Sequence, residues 1–436
     1  MNEAPISLNL DAALAEAEAN FVAKRPITAA LHDRAKAVMP GGNTRTVLYS
    51  APFPIRIDRA EGAILHDIDG HTYTDFVGEY SAGLYGHSNP RIAKAVADAM
   101  AFGINIGAQH VREVAFAEEV CRRFHLDLVR FTNSGTEANM MAIAAARCDT
   151  RRNKVMAMHG GYHGGTLYFA HGASPVNAPF DVILAHYNDI EATADLIEAE
   201  ARDLACVILE PMLGGGGCIP ASPEFLQMLR ERTKHHGIVL IFDEVMTSRL
   251  APGGLSEFHG IEPDLKTLGK YVGGGMSFGA FGGRVEIMQQ FDPSMPNPLP
   301  HAGTFNNNTL TMSAGLVALT EIYTPERCHS HNAFGDALRH DLNNLFMRYQ
   351  APMQAKGFGS MLTIHPVAGD IDKPEDVERA DRRLRRLLYL DLLDEGIYIA
   401  ERGFIALSLE IAGGESAKLL AALQNFLIRR RAFLLP

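Results

Sequence analysis

Lys270 and Asp243 are the two residues whose types and positions best suit chemistry. Lys270 lies in a glycine-rich turn, residues 268–275, and Asp243 ends the apolar run 238–242. A lysine amine can hold an aldehyde as an imine and then carry a proton. An ionised carboxylate can keep a pyridine nitrogen protonated, so that the ring draws electrons from a substrate carbon. Pyridoxal 5'-phosphate needs both functions, and we therefore predict Lys270 and Asp243 to be the catalytic residues of a site for this cofactor.

The segment 133–139 predicts a place for the cofactor's phosphate. Ser134 and Glu137 have the spacing of a capping box at the start of a helix rich in Ala and Met. Such a helix start offers unpaired backbone N–H groups and the positive end of a dipole to an anion. Gly135 permits close approach and Thr136 adds a hydroxyl, so we predict that Ser134, Gly135 and Thr136 bind the phosphate. An ordinary capped helix is the alternative that this spacing leaves open.

A set of motifs, in a fixed order along most of the chain, resembles the class III aminotransferases of fold type I. These motifs are NSGTEAN at 133–139, HGGYHGG at 159–165, EP at 210–211, DEVMTSR at 243–249, TLGKYVGGGMSFGAFGGR at 267–284 and HAGTFNNN at 301–308. The forms DEVMT and GGGMSFGAFGGR resemble the glutamate-1-semialdehyde aminomutase branch of the family. Three further segments resemble its aromatic β-amino acid aminotransferases: PGGNTRTVLY at 40–49, APFP at 51–54 and RGF at 402–404. The resemblance implies bound pyridoxal 5'-phosphate and transfer of an amino group.

Three more cofactor contacts follow from the resemblance. Tyr162 matches an aromatic residue that stacks on the cofactor ring, although the residue alone is equally typical of a buried turn. Thr304 matches a position that reaches the phosphate from the neighbouring subunit, which implies a homodimer with a composite active site. A threonine that caps a polar loop is the alternative for Thr304. Met246 stands where many family members acting on terminal amines have a glutamine, so it offers the cofactor only apolar contact.

Two arginines are candidates for binding the substrate carboxylate, which requires a bidentate donor. Arg45 and Arg402 both resemble arginines that the β-amino acid aminotransferases use for carboxylates, although by residue type alone a surface position is commoner. Two such groups suit an enzyme that accepts an apolar donor and a dicarboxylate acceptor in turn. Val47 and Tyr80 are predicted to line the side-chain pocket, with an ordinary core position as the alternative. The resemblance leaves open whether Glu210 is functional or structural.

The resemblance implies an aminotransferase that moves the amino group of a β-amino acid to 2-oxoglutarate or pyruvate. The donor is expected to be aromatic, such as β-phenylalanine. An aminomutase of the glutamate-1-semialdehyde type is the alternative, but the segments around Arg45 and Arg402 depart from that branch. A cofactor-binding regulator or inactive paralogue is a third reading. It is disfavoured because Lys270 and Asp243 are both present and no added partner-binding domain is visible.

The composition indicates an ordinary globular chain. It has 436 residues, of which 47% are hydrophobic and 21% charged, and its net charge of −11 argues against a nucleic-acid partner. Five cysteines without a C-x-x-C pair, and an N-terminus unlike a signal peptide, predict a cytoplasmic protein with no membrane segment. His159, His163 and His171 have no carboxylate or cysteine at ligand spacing, so we predict no metal.

From about residue 76 to about residue 325, short apolar runs alternate with helical patterns. The clearest runs are 154–158, 205–210 and 238–243. Runs that are apolar on both faces predict a mostly parallel sheet between helices, an α/β fold with its chemistry at the carboxyl ends of the strands. We place a large cofactor-binding domain at 76–325.

The two ends of the chain have a different pattern. It predicts a helix at 11–22, a hairpin around 67–70, a charged helix at 376–393 and a short strand at 404–408. The resemblance implies that residues 1–75 and 326–436 join in one small α+β domain.

Overall fold

The computed structural model of the chain describes residues 9–104, 106–170 and 172–434. Its strands are β1 (Ile57–Glu61), β2 (Ile64–Asp67), β3 (Thr72–Asp75), β4 (Leu128–Thr132), β5 (Lys154–Met158), β6 (Val182–Ala185), β7 (Leu204–Leu209), β8 (Met212–Leu213), β9 (Ile219–Pro220), β10 (Val239–Asp243), β11 (Leu265–Gly269), β12 (Gly279–Gly283), β13 (Gln354–Phe358), β14 (Met361–His365), β15 (Ile397–Tyr398) and β16 (Phe404–Ala406). Its helices are α1 (Leu10–Ala23), α2 (Pro26–Lys36), α3 (Pro90–Phe102), α4 (Val111–Phe124), α5 (Gly135–Thr150), α6 (Ile190–Glu200), α7 (Pro223–His236), α8 (Leu255–His259), α9 (Val285–Met288), α10 (Thr309–Val317), α11 (Pro325–Arg348), α12 (Pro374–Val377), α13 (Arg382–Asp394), α14 (Gly413–Arg429) and α15 (Arg431–Leu434). Over these described ranges, none of the helices combines the length and the apolar character needed to cross a membrane.

A seven-stranded sheet forms the centre of the fold, in the order β4-β12-β11-β10-β7-β5-β6. Neighbours from β11 to β6 pair in parallel, whereas β12 is antiparallel to both β4 and β11. The three strands predicted from continuous apolar runs are confirmed as β5, β7 and β10, within one residue of the predicted limits. Every residue of β7 and β10 is buried, as expected of strands covered on both faces.

Helices cover both faces of this sheet. On one face, Ile208 and Ile241 pack against the alanine-rich side of α5. On the other face, Leu240 and Phe242 pack with Phe225 of α7. Neighbouring residues of β10 thus point to opposite faces, as the two-residue period of a strand requires. The predicted α/β fold, with a mostly parallel sheet between helices, is confirmed.

The carboxyl ends of the parallel strands lie along one edge of the sheet. β10 ends at Asp243, β7 is followed by Glu210, and β11 is followed by Lys270. β4 runs in the same direction and leads into Ser134 and α5. Residues that are far apart in the chain are therefore gathered at the edge where open α/β sheets bind their ligands.

The two ends of the chain meet in smaller sheets. β15 pairs in parallel with β3, where Ile397 lies opposite Thr74, and this completes the sheet β1-β2-β3-β15. β13, β14 and β16 form a three-stranded sheet. α1 lies on α13, and Asp11 forms an ion pair with Arg383 at 3.0 Å. The predicted α+β region built from both chain ends is present, while its limits at residues 75 and 326 stay a prediction.

The local predictions for the chain ends have mixed outcomes. α1 confirms the helix at 11–22, and β2 and β3 form the hairpin. The charged helix predicted at 376–393 is confirmed from residue 382 onward, but its predicted start is wrong. α12 ends at Val377, and α13 begins after Asp381, whose side chain accepts from the backbone N–H of Arg383 at 2.8 Å. The strand predicted to reach residue 408 stops at Ala406, which pairs with Met361 at the start of β14.

Candidate active site

Val245 lies where three predicted site segments meet. A Cβ added at Gly135 would lie 2.8 Å from Val245 Cγ2, and one added at Gly269 would lie 3.0 Å from Val245 Cγ1. A side chain at either glycine would force these segments apart, so the two glycines permit their close approach. The start of α5 and the turn that contains Lys270 therefore both pack against Val245, in the segment that follows Asp243.

Asp243 is buried, with 3% of its surface exposed. Its Oδ2 accepts from Asn139 Nδ2 and from His163 Nδ1, both at 2.8 Å, and its Oδ1 accepts from the backbone N–H of Val245 at 3.0 Å. Three hydrogen bonds hold the carboxylate in one orientation. A carboxylate has about four acceptor positions, so one remains for a further N–H donor.

Asn139 was not predicted from the sequence as a site residue, and His163 was predicted there only in connection with a possible metal. Asn139 also donates to the carbonyl of His163 at 2.9 Å and accepts from Thr267 Oγ1 at 2.6 Å. Both side chains are almost fully buried, and His163 Nε2 has no hydrogen-bond partner within the described residues. The signal for Asn139 was a polar residue on the buried side of a helix otherwise rich in Ala and Met.

Lys270 begins a 3₁₀ turn directly after β11, with a φ of 53°. This left-handed conformation is uncommon for a residue with a side chain. Its Nζ donates to the main-chain carbonyl of Tyr80. Burial lowers the pKa of the Lys270 amine to about 8; Arg402 also lowers it, whereas the carboxylates of Glu210 and Asp243 oppose this change. Part of the amine is neutral near pH 7, as imine formation and proton acceptance require.

Glu210 is a second buried carboxyl beside Asp243. Its Oε1 accepts from the backbone N–H of Tyr162 and its Oε2 from that of Gly214, both at 3.0 Å. Burial raises the pKa of Glu210 to about 7; Asp243 raises it as well, and His163 and the two N–H donors lower it. Glu210 thus links the loop of Tyr162 to the loop that follows β8. Because its pKa is raised, its carboxyl is partly protonated near pH 7.

The segment predicted to bind the phosphate caps α5 as expected, with one difference. Ser134 Oγ accepts from the backbone N–H of Glu137 at 3.2 Å, but Glu137 reaches back to the N–H of Asn133, at 3.0 Å, rather than to that of Ser134. Thr136 Oγ1 accepts from the N–H of Gly165 at 3.2 Å and ties the HGGYHGG segment to the helix. Helix geometry leaves the first two N–H groups of α5 without an intrahelical acceptor, so this end suits an anion.

Tyr162 and Met246 have different surroundings. Tyr162 is 43% exposed, and its ring meets that of Tyr168 edge-on at a centroid distance of 5.7 Å. Met246 is buried in an apolar cluster that includes Tyr80 and Phe404. Tyr162 is thus partly accessible, and its stacking on a cofactor ring stays a prediction. Met246 has apolar surroundings, which suit its thioether.

Arg45 and Arg402 approach the same aromatic ring. Their guanidinium carbons lie 6.0 and 5.3 Å from the ring centroid of Tyr80, and Arg402 lies 5.2 Å from that of Phe404. The rings of Tyr80 and Phe404 are stacked at 5.7 Å. Arg45 forms an ion pair with Glu79, whereas Arg402 forms none with a carboxylate in the described part of the chain. The structure therefore brings the two arginines and Tyr80 together.

Val47 and Thr304 are two predicted site residues with exposed positions. Val47 is 46% exposed, and its carbonyl accepts from Tyr80 Oη at 3.1 Å. Thr304 is exposed in the loop before α10. This loop is tied to the phosphate segment by Asn306, whose Oδ1 accepts from Asn133 Nδ2 at 3.0 Å. A pocket-lining role for Val47 and a phosphate contact from Thr304 in a second subunit both stay predictions.

The three histidines considered as metal ligands are not grouped in the structure as far as it describes them. His163 bonds to Asp243, and His159 stacks on His186 at 4.9 Å. His171 lies outside the described residues. Within the described ranges, no group of three or more His, Cys, Asp or Glu side chains is arranged to hold a metal ion.

The arrangement fits pyridoxal 5'-phosphate. The spare acceptor position of buried Asp243 suits the ring N–H, the Lys270 amine suits the aldehyde, and the start of α5 suits the phosphate. Asp243 ends β10, Lys270 follows its parallel neighbour β11, and α5 follows β4, so all three features lie at one edge of the sheet.

Fold and site together define a pyridoxal 5'-phosphate-dependent transaminase. The family model "Aminotransferase class-III" matches residues 48–412, and the chain belongs to that family. It is 48% identical to the β-phenylalanine transaminase of Variovorax paradoxus over 419 residues, 96% of each chain. It is 38% identical to the glutamate-1-semialdehyde 2,1-aminomutase of Desulfotalea psychrophila, over 86% of this chain and 91% of the relative.

A solved structure of a β-phenylalanine aminotransferase from Variovorax paradoxus matches with a TM-score of 0.96 and 48% identity, over 98% of this chain and 99% of that one. A transaminase structure with pyridoxal 5'-phosphate bound matches with a TM-score of 0.86 and 32% identity, over 93% and 97% of the two chains. These likenesses confirm the fold and the cofactor; the roles of individual site residues stay predictions.

We expect Glu210 to make the protein less stable as the pH rises from 4.5 to 7. The folded state favours the protonated carboxyl, because its pKa rises from 4.5 to about 7 on folding. This contribution is complete below pH 4.5 and is lost as the pH rises through 7. Relative to Glu210→Gln, which cannot ionise, the cofactor-free wild type should lose unfolding free energy as the pH rises through this range, measured in urea.

The matched control is Glu231→Gln, at an exposed glutamate of α7. Its unfolding free energy should follow the pH dependence of the wild type. Identical pH dependence in wild type and Glu210→Gln would contradict the raised pKa.

Proposed function

We propose that the chain transfers the amino group of an aromatic β-amino acid, such as β-phenylalanine, to 2-oxoglutarate or pyruvate. The observation that carries this proposal is the position of Arg402, a guanidinium beside the stacked rings of Tyr80 and Phe404 and without a carboxylate partner in the described part of the chain. Such a group can bind a carboxylate while the rings accept an apolar side chain. The 48% identical β-phenylalanine transaminase supports the same donor.

Arg45 supplies a second binding group for the acceptor. Both arginines border Tyr80, so a dicarboxylate such as 2-oxoglutarate can be held at both of its ends. Pyruvate has one carboxylate and needs only one of them. Arg45 must exchange its partner Glu79 for the substrate, whereas Arg402 has no such partner to leave.

The residues of the site divide the chemical work. When bound, pyridoxal 5'-phosphate supplies the electron sink that makes the substrate C–H acidic. Lys270 accepts the proton that leaves the substrate carbon and later returns it, as its lowered amine pKa permits. Asp243, oriented by Asn139 and His163, places its negative charge opposite the ring nitrogen. Ser134, Gly135 and Thr136 bind the phosphate, and Tyr162 stacks on the ring.

We also propose a cytoplasmic homodimer with a composite active site. Thr304 is exposed in a loop tied to the phosphate segment, so a second subunit packed on this side could bring it to the partner's phosphate. All five cysteines are free thiols, which suits a reducing compartment.

An aminomutase is the second candidate function. The 38% identical glutamate-1-semialdehyde aminomutase favours it, and so do the DEVMT and GGGMSFGAFGGR forms of the sequence. An aminomutase moves the amino group within one molecule and needs no external acceptor. Isomerisation of a semialdehyde substrate without added keto acid would therefore identify it.

The proposed donor is tested by a half-reaction. We expect racemic β-phenylalanine, mixed with the holo-protein, to convert the cofactor to its amine form, seen in its absorption spectrum, and 2-oxoglutarate or pyruvate to reverse the change. Lys270→Ala should lose turnover with every substrate, because no amine remains to accept the proton. A spectrum that does not respond to β-phenylalanine but responds to a semialdehyde would contradict the proposal and favour the aminomutase.

Replacement of Arg402 tests carboxylate recognition. We expect Arg402→Lys to raise KM for β-phenylalanine roughly tenfold to a hundredfold, because lysine loses the bidentate contact worth roughly 1.5–3 kcal/mol. Steady-state kinetics measure KM and kcat separately. Arg348→Lys, at an exposed position of α11, is the matched control and should behave as the wild type. An unchanged KM in Arg402→Lys would rule out this residue as the anchor.

A further inference from the structure

Four consecutive residues near the candidate site have a left-handed backbone. The φ angles of Gly78, Glu79, Tyr80 and Ser81 are 51°, 48°, 52° and 79°. Residues with a side chain rarely adopt this conformation, because Cβ crowds the following carbonyl oxygen. A run of three such residues persists only where the surroundings impose it, and such strain is concentrated at functional sites.

Close contact with β16 makes the first residue of this turn a glycine. A Cβ added at Gly78 would lie 2.4 Å from the carbonyl oxygen of Ala406. The obstacle is backbone, so a flexible side chain cannot move aside to make room. The turn is therefore seated directly on the strand that follows Arg402 and Gly403.

Two charged and buried side chains hold the turn from opposite ends. Asp75 Oδ1 accepts from the backbone N–H of Val77 at 2.8 Å and from that of Gly78 at 3.2 Å. Arg249, which is fully buried, donates to the carbonyl of Ser81 at 3.5 Å, and its other donors bond to further buried groups. The strained backbone is thus fixed on both sides of Tyr80.

Tyr80 is the residue that this turn presents to the site. Its carbonyl accepts from Lys270 Nζ. Its ring stacks on Phe404 and lies beside Arg402, and its hydroxyl donates to the carbonyl of Val47 at 3.1 Å. The side chain and the carbonyl therefore face two different parts of the candidate site, the substrate-binding arginine and the catalytic amine.

We propose that Tyr80 is a positioning residue whose main-chain carbonyl, aimed by the left-handed turn, holds the Lys270 amine whenever that amine is not bonded to the cofactor. The anchored ring keeps the carbonyl in place. A carbonyl accepts more strongly from an ammonium than from a neutral amine, so it opposes the effect of burial on the pKa of Lys270. This inference rests on the role proposed for Lys270.

The experiment measures the pH at which Lys270 becomes reactive in the full-length, cofactor-free chain. Fluorodinitrobenzene reacts with the neutral form of a lysine amine and not with the ammonium. Peptide mass spectrometry follows the labelling of Lys270 itself, with the exposed Lys418 as an internal standard. The wild-type midpoint should lie near pH 8. Gly78→Ala should lower the midpoint by about one pH unit, because the turn moves away from Ala406 and the carbonyl leaves the amine.

Gly70→Ala is the matched control. Gly70 also has a positive φ, of 92°, but nothing lies within 4 Å of an added Cβ, and it sits in the hairpin between β2 and β3. Gly70→Ala should introduce backbone strain without a steric clash, and it should leave the pH midpoint of Lys270 labelling unchanged. An equal shift in both variants, or no shift in a folded Gly78→Ala, would overturn the proposal.

A second pair of variants serves if Gly78→Ala does not fold. Tyr80→Ala should lower the midpoint because the turn loses its anchored ring, and Tyr80→Phe, which keeps the stacking on Phe404, should retain the wild-type value. A raised midpoint in Tyr80→Ala would mean that Tyr80 acts only by burying the amine, and would overturn the proposal.

Borohydride reduction of the holo-protein separates this proposal from the proposed function. If the cofactor is trapped on Lys270 and the midpoint does not move in Gly78→Ala, only the role of Tyr80 fails. If the cofactor is trapped on another lysine, the role of Lys270 fails, and the role of Tyr80 fails with it.

Discussion

A buried carboxylate at the end of a central strand is the constraint on which the rest of the site depends. Removal of a carboxylate from water costs several kcal/mol unless hydrogen bonds or an opposite charge compensate. Asn139, His163 and the N–H of Val245 supply three hydrogen bonds to Asp243, and one acceptor position remains. In the proposed site, this position takes the N–H of a cationic ring nitrogen. On this proposal, the charge of the cofactor offsets part of the cost of burying Asp243.

Burial near Asp243 shifts the pKa values of Lys270 and Glu210 in opposite directions. Burial lowers the pKa of the Lys270 amine to about 8 and raises that of the Glu210 carboxyl to about 7. An amine and a carboxyl that ordinarily differ by about six pKa units are thereby brought close together. Small changes of charge in the site can then shift protons between states, as acid–base catalysis near neutral pH requires.

The elements that carry the candidate site could be predicted from the sequence because their signals are local. Asp243 ends an apolar strand, Lys270 lies in a glycine-rich turn, and Ser134 begins a capped helix. The partners of these residues could not be predicted. Asn139 reaches Asp243 across 104 positions and Tyr80 reaches Lys270 across 190, so both contacts depend on how the elements pack.

Two local structures outside the large sheet could likewise not be predicted from the sequence. The helical pattern at 376–393 is continuous in its apolar and charged residues, but the cap formed by Asp381 starts a new helix, α13. Gly78 is the single glycine among the four residues of the left-handed turn at Tyr80, so residue types alone do not predict the turn. Asp75 and Arg249 hold its backbone through contacts that depend on the tertiary structure. Pattern alone does not report such tertiary constraints.

The central proposal is that Asp243 holds the cofactor's ring nitrogen in its protonated form. The holo-protein, reconstituted with pyridoxal 5'-phosphate labelled with ¹⁵N in the ring, allows that nitrogen to be observed by NMR across neutral pH. We expect the chemical shift of a protonated nitrogen in the wild type and the loss of that shift in Asp243→Asn. A neutral ring nitrogen in the wild type, or a protonated one that survives in Asp243→Asn, would contradict it.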